Sequence, residues 1–286
     1  MFTKEKRFYA YIFIALLLLV TGCGKAIEVA AIVDGQMPAI DANELLYVTD
    51  IDLTTEFSNP EFIDLSQADE DVVIEKGGEY VLTGECHKTI TVDAHDELVH
   101  LFFNNVTVET AVGPALYIKS AGKVVITLME GTMNTLFDAA YYKNEDLNAT
   151  ITANCDLTVN GPGTLYACGY YKDAIHSKDV CKVLGSTVQL KSKRYGIKGN
   201  DGIVLEPEYL TIESEKNGCQ TSNASKEDKG IIDIRGGEIS IISGQYALAS
   251  VSDVYIREGN VYLNSVVGNI YTEGQQYIAE GVFADE

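Results

Sequence analysis

The segments Ala174–Asp179 (AIHSKD) and Gly196–Asp201 (GIKGND) resemble each other and lie 22 residues apart. Asp156 precedes Asp179 by 23 residues. A period in the low twenties is typical of a parallel β-helix, in which each coil carries two or three short strands that stack on those of the next coil. The spacing therefore predicts that Asp156, Asp179 and Asp201 occupy matching places in adjoining coils.

From Val72 onward the sequence has the pattern of short strands. β-branched runs of four to six residues recur, each closed by Gly, Asn or Asp, and no helical period interrupts them. We predict an all-β chain whose residues 71–286 form a parallel β-helix (solenoid) with coils of about 22–25 residues. A β-sandwich is the alternative, but the Asn-Gly and Asp-Gly pairs that its hairpins favour are scarce here.

The N-terminus has the order of a secretion signal. Lys4, Lys6 and Arg7 precede an apolar stretch at 9–20, and VTGC follows at 20–23. That ending matches the site of lipoprotein signal peptidase, so we predict a signal peptide at 1–22 and lipidation of Cys23. A transmembrane helix, the alternative, needs roughly 20 apolar residues. The protein is expected at the extracellular face of the cell membrane, lipid-anchored, with residues 23–70 as an acidic tether and N-terminal cap.

The charge balance is strongly acidic, since 42 Asp and Glu residues stand against 21 Lys and Arg, a formal net charge of −21. Nucleic acid is excluded as a partner because a field of this sign repels phosphate. The acidity indicates either a solvated extracellular surface or the binding of a cation. The cysteines beyond Cys23 are odd in number and lack metal-type spacing, so most are expected to be buried in strands.

Four segments in order carry a family resemblance: 113–118, 126–136, 156–163 and 174–179. They resemble the clostridial carbohydrate-binding-domain proteins of β-helix fold, over about Val72 to Val267. The resemblance implies a right-handed parallel β-helix, similar to polysaccharide lyases of family nine, that binds acidic plant polysaccharide such as polygalacturonate and carries calcium. The sequence departs from the family's Asp-Gly-Ile turn at 195–197, 217–219 and 246–248, which removes charge from the usual cation positions.

A calcium site is predicted where acidic side chains stack. Strands of adjoining coils lie about 4.8 Å apart, and ionised carboxylates at that distance repel each other. Calcium relieves the repulsion and takes about six to eight oxygen ligands. The residues predicted to supply them are Asp173, Asp179, Asn200, Asp201, Asn217, Asn223 and Asp228. The alternative is that these residues form turns or face water.

Tyrosine is plentiful, with 17 residues against no tryptophan, and Tyr-Tyr-Lys occurs at 141–143 and at 170–172. A tyrosine ring can stack on a sugar while a nearby lysine pairs with a uronate. The residues predicted to contact polysaccharide, beside the coils at 170–228, are Tyr141, Tyr142, Tyr170, Tyr171, Lys172 and Lys198. Core packing is the alternative for any single tyrosine.

Together these patterns predict a cell-surface lipoprotein that binds polysaccharide with calcium support. Two other classes stay open. A calcium-dependent lyase would let calcium acidify the proton beside a uronate carboxylate, and a nearby base would remove that proton. The candidate bases are Lys178, Lys193, Arg194 and Lys198. A structural or adhesion protein of the cell surface would need neither the metal nor the base.

Overall fold

The computed structural model describes residues 46–225 and 228–283. The helices named there are α1 (Asp50–Leu53) and a short 3-10 helix, Leu65–Gln67, and Leu46 is also in 3-10 conformation. Within these two ranges no helix is long and apolar enough to cross a membrane. The strands, numbered in chain order, form one sheet of nine strands and one of 16, and they pair in parallel.

Three strips of strands are distinguished as faces A, B and C. Face A is the nine-stranded sheet: β2 (Val72–Ile74), β4 (Ile90–Asp93), β6 (Leu116–Ser120), β9 (Ala149–Ala153), β12 (Asp173–Ser177), β15 (Ile197–Gly199), β18 (Cys219–Gln220), β21 (Tyr246–Ser250) and β24 (Gly268–Thr272). Face B is one part of the larger sheet: β1 (Glu61–Asp64), β3 (Gly78–Cys86), β5 (Leu98–Glu109), β7 (Lys123–Leu128), β10 (Asp156–Asn160), β13 (Val180–Leu184), β16 (Gly202–Glu206), β19 (Ile231–Ile234), β22 (Val254–Ile256) and β25 (Gln276–Ile278). Face C is its other part: β8 (Met133–Phe137), β11 (Thr164–Gly169), β14 (Thr187–Ser192), β17 (Tyr209–Ser214), β20 (Glu238–Ser243) and β23 (Asn260–Ser265). The two parts join at β5, which pairs with both β7 and β8.

From β6 onward the chain visits faces A, B and C in that order, and we call each succession a coil. Ile175 pairs with Ile197, 22 residues further along, and Val180 pairs with Gly202 at the same spacing. The backbone nitrogen of Asp201 donates to the carbonyl oxygen of Asp179 over 3.1 Å. The predicted neighbourhood of these two aspartates is confirmed, and the all-β chain with long parallel sheets is consistent with a parallel β-helix.

The spacing predicted for Asp156 is wrong by one residue. Leu157 pairs with Cys181, 24 residues on, so Asp156 lies level with Val180 and not with Asp179. Coil length varies because extra residues are accommodated in loops outside the strand ladder. The pairing of Leu116 with Ile151 spans 35 residues. A uniform length of about 22–25 residues therefore holds only where the loops are short.

The interior is built from apolar rows that run along the stack. Side chains alternate between the two sides of a strand, so every second residue faces inward. The central inward row of face A consists of Val72, Ile90, Leu116, Ile151, Ile175, Ile197, Cys219, Leu248 and Ile270. Rows from faces B and C join it in one continuous core. The cysteines of the described residues are buried and free, and all of them but Cys155, which lies between β9 and β10, are in strands as predicted.

Residues 46–57, which we call the N-terminal strap, pack against the outer side of face B. Leu46 is buried there among Val180, Val204 and Tyr255. Residues 23–70 are predicted as a tether and cap, and over 46–57 the chain is packed on the stack. After the strap, β1 pairs with β3 at the start of face B. The predicted signal peptide and Cys23 lie outside the described residues.

Asp52 fixes the strap through a buried ion cluster. Its carboxylate lies 2.5 Å from Nζ of Lys123 and 3.1 Å from Nζ of Lys182, and it accepts the hydroxyl of Thr158 at 2.5 Å. Burial by itself raises the pKa of Asp52, but the hydrogen bonds from Lys123 and Thr158 outweigh it and hold the pKa well below the usual range. The carboxylate is therefore ionised and compensated inside the interface.

Candidate functional site

A cavity of about 600 Å³ lies on the outer side of face C, across β11, β14, β17 and β20. Its walls combine rings, lysines and glutamates with one exposed aliphatic side chain. They are formed by Tyr166, Cys168, Gly169, Tyr170, Lys191, Ser192, Lys193, Glu213, Ser214, Glu215 and Ile242. The strap does not reach these residues, so the cavity is open to solvent.

The aromatic part of the cavity is a small cluster on its β8 and β11 side. The ring of Phe137 lies 5.6 Å from that of Tyr166, edge to face, and 5.9 Å from that of Tyr170. Tyr170 is 45% exposed. Rings held by their neighbours can offer a flat apolar surface with little loss of side-chain freedom. Tyr170 lines the cavity and its contact with polysaccharide stays a prediction, whereas Tyr166 is an addition from the structure.

The polar part of the cavity contains charges of both signs. Nζ of Lys191 lies 3.3 Å from the carboxylate of Glu213, and both side chains are mostly exposed. Lys193 and Glu215 lie beside them on the same rim. A ligand with hydroxyl groups would meet donors and acceptors here, and one with carboxylates would meet two lysines.

The predicted tyrosines divide into exposed and buried rings. Tyr141 is 64% exposed but lies apart from the cavity. Tyr142 is buried, and its hydroxyl lies 2.8 Å from both a carboxylate oxygen of Asp138 and the carbonyl oxygen of Ala149, either of which can accept its single proton. The prediction that Tyr142 contacts polysaccharide is therefore wrong, because this ring packs inside the protein.

Tyr171 and Lys172 continue the stack that Tyr142 begins. The rings of Tyr142 and Tyr171 are 4.5 Å apart and nearly parallel. Nζ of Lys172 lies 4.4 Å from the centroid of the Tyr171 ring. The Tyr142 ring thus covers one face of the Tyr171 ring, and Lys172 also lies over the Tyr171 ring. These contacts orient Lys172, which remains half-buried at the surface.

Asp138, which follows β8, organises this region although the sequence did not single it out. It is 2% exposed and accepts the backbone nitrogen of Tyr170 at 2.6 Å and that of Tyr171 at 3.4 Å. Burial raises the pKa of Asp138 to about 6, and these hydrogen bonds partly oppose the rise. A lone aspartate after a strand gives no sequence signal for such a role.

Basic side chains form a column at the corner between faces C and A. The backbone nitrogen of Arg194 donates to the carbonyl oxygen of Lys172, and that of Lys216 donates to the carbonyl oxygen of Arg194. The three residues therefore occupy equivalent places in three successive coils. Lys198, half-buried on β15, has its pKa lowered by burial, which the charge of Asp173 opposes and that of Arg194 reinforces.

Two of the predicted calcium ligands lie at the start of face A strands. Asp173 is fully buried, and its carboxylate forms a two-point ion pair with Arg194, at 2.7 and 2.6 Å. Asn217 accepts the backbone nitrogen of Tyr246 and donates to Gln220. Burial raises the pKa of Asp173, and the bonds from Arg194 oppose that rise. An arginine compensates this carboxylate, in the place predicted for a metal.

The other predicted ligands lie at the turn from face A to face B. Asp201 is buried, 2.5 Å from Nζ of Lys229, and it accepts Nδ2 of Asn223. Asn200 accepts the hydroxyl of Ser222. Asp228 is exposed on the same loop. The seven predicted ligands are therefore divided between two ends of the face A strands, and Asp201 has a lysine as its counter-ion.

Asp179 differs from its neighbours in this turn. Burial, with the charges of Asp156 and Asp201, raises the pKa of Asp179. The described residues contain no group of three or more His, Cys, Asp or Glu arranged to hold a metal ion. Calcium at these residues stays a prediction.

A long parallel stack with one open aromatic and charged face is suited to contact with an extended polymer. The chain belongs to the family of carbohydrate-binding domain-containing proteins, which matches residues 68–286. A relative of that description from Acetivibrio thermocellus is 30% identical over 275 residues, covering 92% of each chain. A solved structure, the polysaccharide lyase-like protein from C. thermocellum as a gadolinium derivative, is similar with a TM-score of 0.74 and 28% identity, over 79% of this chain and 99% of that one.

Proposed function

We propose that this protein binds polysaccharide on the outer side of face C, and that its stack is a right-handed parallel β-helix. The cavity lined by Tyr166, Tyr170, Lys191 and Lys193 is the observation that carries the proposal. It combines exposed ring surface with polar groups that can meet sugar hydroxyls. Membership of a family described as carbohydrate-binding supports it.

The polymer we propose is acidic, such as polygalacturonate. The formal net charge of −21 opposes an anionic ligand over most of the surface. Lys172 and Lys216 at the neighbouring corner, with Lys193 on the cavity rim, supply the local positive charge that uronates need, while Arg194 between the first two is paired with Asp173. The charge pattern therefore favours this edge of face C over the rest of the molecule.

Affinity electrophoresis in gels that contain polygalacturonate tests this function. We expect the wild-type protein to be retarded, and Tyr170→Ala to lose affinity by roughly tenfold because a stacking surface is removed. Tyr141→Ala is the matched control, since Tyr141 is also exposed but lies outside the cavity. Equal retardation of both variants would place the sugar elsewhere, and mobility unchanged by any polysaccharide would end the proposal.

Calcium support is a second part of the proposal, located at Asp179 and Asp156. Their carboxylate oxygens are suitable ligands for calcium, whereas Asp173 and Asp201 already face Arg194 and Lys229. We expect calcium to raise the melting temperature of the wild-type protein and EDTA to reverse the rise. Asp179→Asn should abolish the difference, and magnesium is the control cation. No response of the wild-type protein to chelation contradicts this part alone.

A lyase is the second candidate function, and Lys198 is the observation that favours it. A lysine whose pKa is lowered by burial gives up its proton more readily than an exposed lysine, which favours the role of general base. A polysaccharide lyase-like protein is among the similar solved structures. Incubation with polygalacturonate and calcium, followed by the ultraviolet absorbance of unsaturated product, tests the activity. Product formed by the wild-type protein and lost in Lys198→Ala supports a lyase; absorbance that stays flat supports binding alone.

We also propose that lipid on Cys23 holds the protein at the extracellular face of the cell membrane. Cys23 ends the VTGC sequence that follows the apolar stretch. Growth with labelled palmitate should label the wild-type protein and leave Cys23→Ala unlabelled. Recovery of the wild-type protein without label, in the culture medium, contradicts the anchor.

A further inference from the structure

The loop that presents Tyr170 to the cavity is held from below by one side chain. Asp138 lies beneath it, with one carboxylate oxygen 2.6 Å from the backbone nitrogen of Tyr170. The other oxygen accepts the hydroxyl of Tyr142 at 2.8 Å and the backbone nitrogen of Tyr171 at 3.4 Å. Three donors from two separate loops thus converge on a single buried carboxylate.

Those contacts determine what the loop shows to solvent. Tyr142 is held by Asp138 and stacks on Tyr171, and Lys172 lies over the Tyr171 ring. Tyr170, bound through its backbone, contacts Phe137 and lines the cavity. The aromatic ring and the lysine proposed to contact sugar therefore both take their positions from Asp138, which itself is too buried to touch a ligand.

We infer that Asp138 is a positioning residue of the polysaccharide site, whose ionised carboxylate holds the Tyr170–Lys172 turn in its binding conformation. The inference rests on the proposed function and deepens it. A carboxylate can accept all three hydrogen bonds, whereas an amide turns its N–H groups toward the backbone nitrogen of either Tyr170 or Tyr171. A protonated carboxyl group is a weaker acceptor, and its proton takes the place of the hydrogen bond from the Tyr142 hydroxyl, which then donates to Ala149 alone. Loss of the charge therefore removes support from the turn.

The pH range of this effect follows from the surroundings of Asp138. Burial raises its pKa to about 6, so the ionised form prevails above that pH and is lost below it. The titratable groups that face this pocket are Tyr142, Cys168, Tyr171 and Asp173. Burial raises the pKa values of Tyr142 and Cys168, which keeps those two neutral, while Asp173 is paired with Arg194. The affinity for polysaccharide should then fall as the pH drops from 7 to 5.

The test uses the whole protein, polygalacturonate gels and the variant Asp138→Asn. We expect the variant to lose affinity at pH 7 by about tenfold, the value of one or two hydrogen bonds. Asp146→Asn is the matched control, because Asp146 makes the same charge change at an exposed position of the same loop. Tyr142→Phe removes one donor to Asp138 but keeps the ring stack, so it should lose less affinity than Asp138→Asn. If Asp138→Asn does not fold, Tyr142→Phe tests the same contacts in its place.

A pH series separates positioning from a general effect on stability. Ordinary carboxyl groups, including those of the polymer, stay ionised from about pH 5 to 7. Over that range the affinity of the wild-type protein and of Asp146→Asn should fall toward low pH, and that of Asp138→Asn should stay level. A wild-type protein that binds equally at all pH values, or a variant with the wild-type profile, overturns the inference while leaving the binding function intact. A wild-type protein that binds no polysaccharide at pH 7 overturns the proposed function instead.

Discussion

The outer sides of faces B and C belong to the same stack of strands, but the first is covered by the strap and the second is exposed to solvent. On face B the strap covers Val204 and Tyr255 with Leu46 and inserts Asp52 between Lys123 and Lys182. On face C the outward residues stay in solvent, including large apolar ones such as Ile242. The chain thus covers the outer side of face B with its own strap and leaves the outer side of face C exposed. This difference is a reason to seek the ligand on face C.

The largest effect is expected from removing the charge that holds the strap. Asp52→Asn leaves Lys123 and Lys182 without their buried counter-ion and should lower the free energy of unfolding by about 3–5 kcal/mol at pH 7. The folded-state pKa of Asp52 is depressed, so its stabilisation exists above the unfolded pKa near 3.9 and is lost as the pH falls through the folded value. Urea unfolding at pH 7 and at pH 3 should show the gap between the two proteins narrowing in acid.

The matched control for that change is Asp50→Asn. Asp50 is exposed in the same short helix, α1. It should alter the free energy of unfolding by about 0.5 kcal/mol at most. A loss as large as that of Asp52→Asn would mean that helix α1, and not the buried ion cluster, holds the strap.

The apolar contact of the strap should give the next largest effect. Leu46 is buried against face B, and Leu46→Ala should cost about 2–3 kcal/mol in the free energy of unfolding. Leu53→Ala provides the comparison, since Leu53 is 60% exposed and should cost little. Thermal melting of both variants checks this, and equal melting temperatures would show that Leu46 is not seated on face B.

A change on the open face should act on binding and spare stability. Tyr209 is 53% exposed and lines a second depression of about 240 Å³ on face C, with Tyr262 and Glu238. If the polymer crosses several strands, Tyr209→Ala should weaken the binding of long oligosaccharides by roughly fivefold and leave short ones unaffected. Met133→Ala, an exposed position in the same outward row, is the control. Titration calorimetry with oligomers of two lengths measures these affinities, and an equal loss for long and short oligomers contradicts a polymer that crosses several strands.

The smallest effect is a gain in stability at the turn from face A to face B. The pKa of Asp179 is raised by burial and by Asp156 and Asp201, so its charge destabilises the fold above the folded pKa, and the penalty vanishes as the pH falls below the unfolded value. In EDTA at pH 7, Asp179→Asn should gain about 0.5–1 kcal/mol in the free energy of unfolding. At pH 3 the gain should vanish. Asp96→Asn, at an exposed position, is the control and should leave the free energy of unfolding unchanged at both pH values. A loss of stability for Asp179→Asn at pH 7 contradicts the repulsion.

The stack could be predicted because its contacts repeat in the sequence. Ile175 and Ile197 pair at the spacing that the two similar segments show. The error for Asp156 arose because loop lengths change from coil to coil, and a residue count alone cannot locate an inserted residue. The strap was missed for a different reason. Asp52 and Thr158 are 106 residues apart and occur in no repeated pattern, so nothing in the sequence connects them.

The site was predicted in part, and the limits are physical. The Tyr-Tyr-Lys motif identified Tyr170 and Lys172 but could not tell that Tyr142 turns inward, because that depends on Asp138 meeting its hydroxyl. Tyr166 could have been found, since it alternates with the core residues Leu165 and Ala167 along β11 and must face outward. The counter-ions of Asp173 and Asp201 are 21 and 28 residues away, in coils whose register had to be known first.

The strap also changes how the repeats depend on one another. In a solenoid each repeat contacts only its neighbours, so unfolding can begin at one end and spread step by step. Here one short segment touches β7 through Lys123, β13 through Lys182 and β19 through Ile231. We therefore expect the coils that the strap touches to unfold together, because separating any one of them from its neighbours also breaks contacts with these dozen residues.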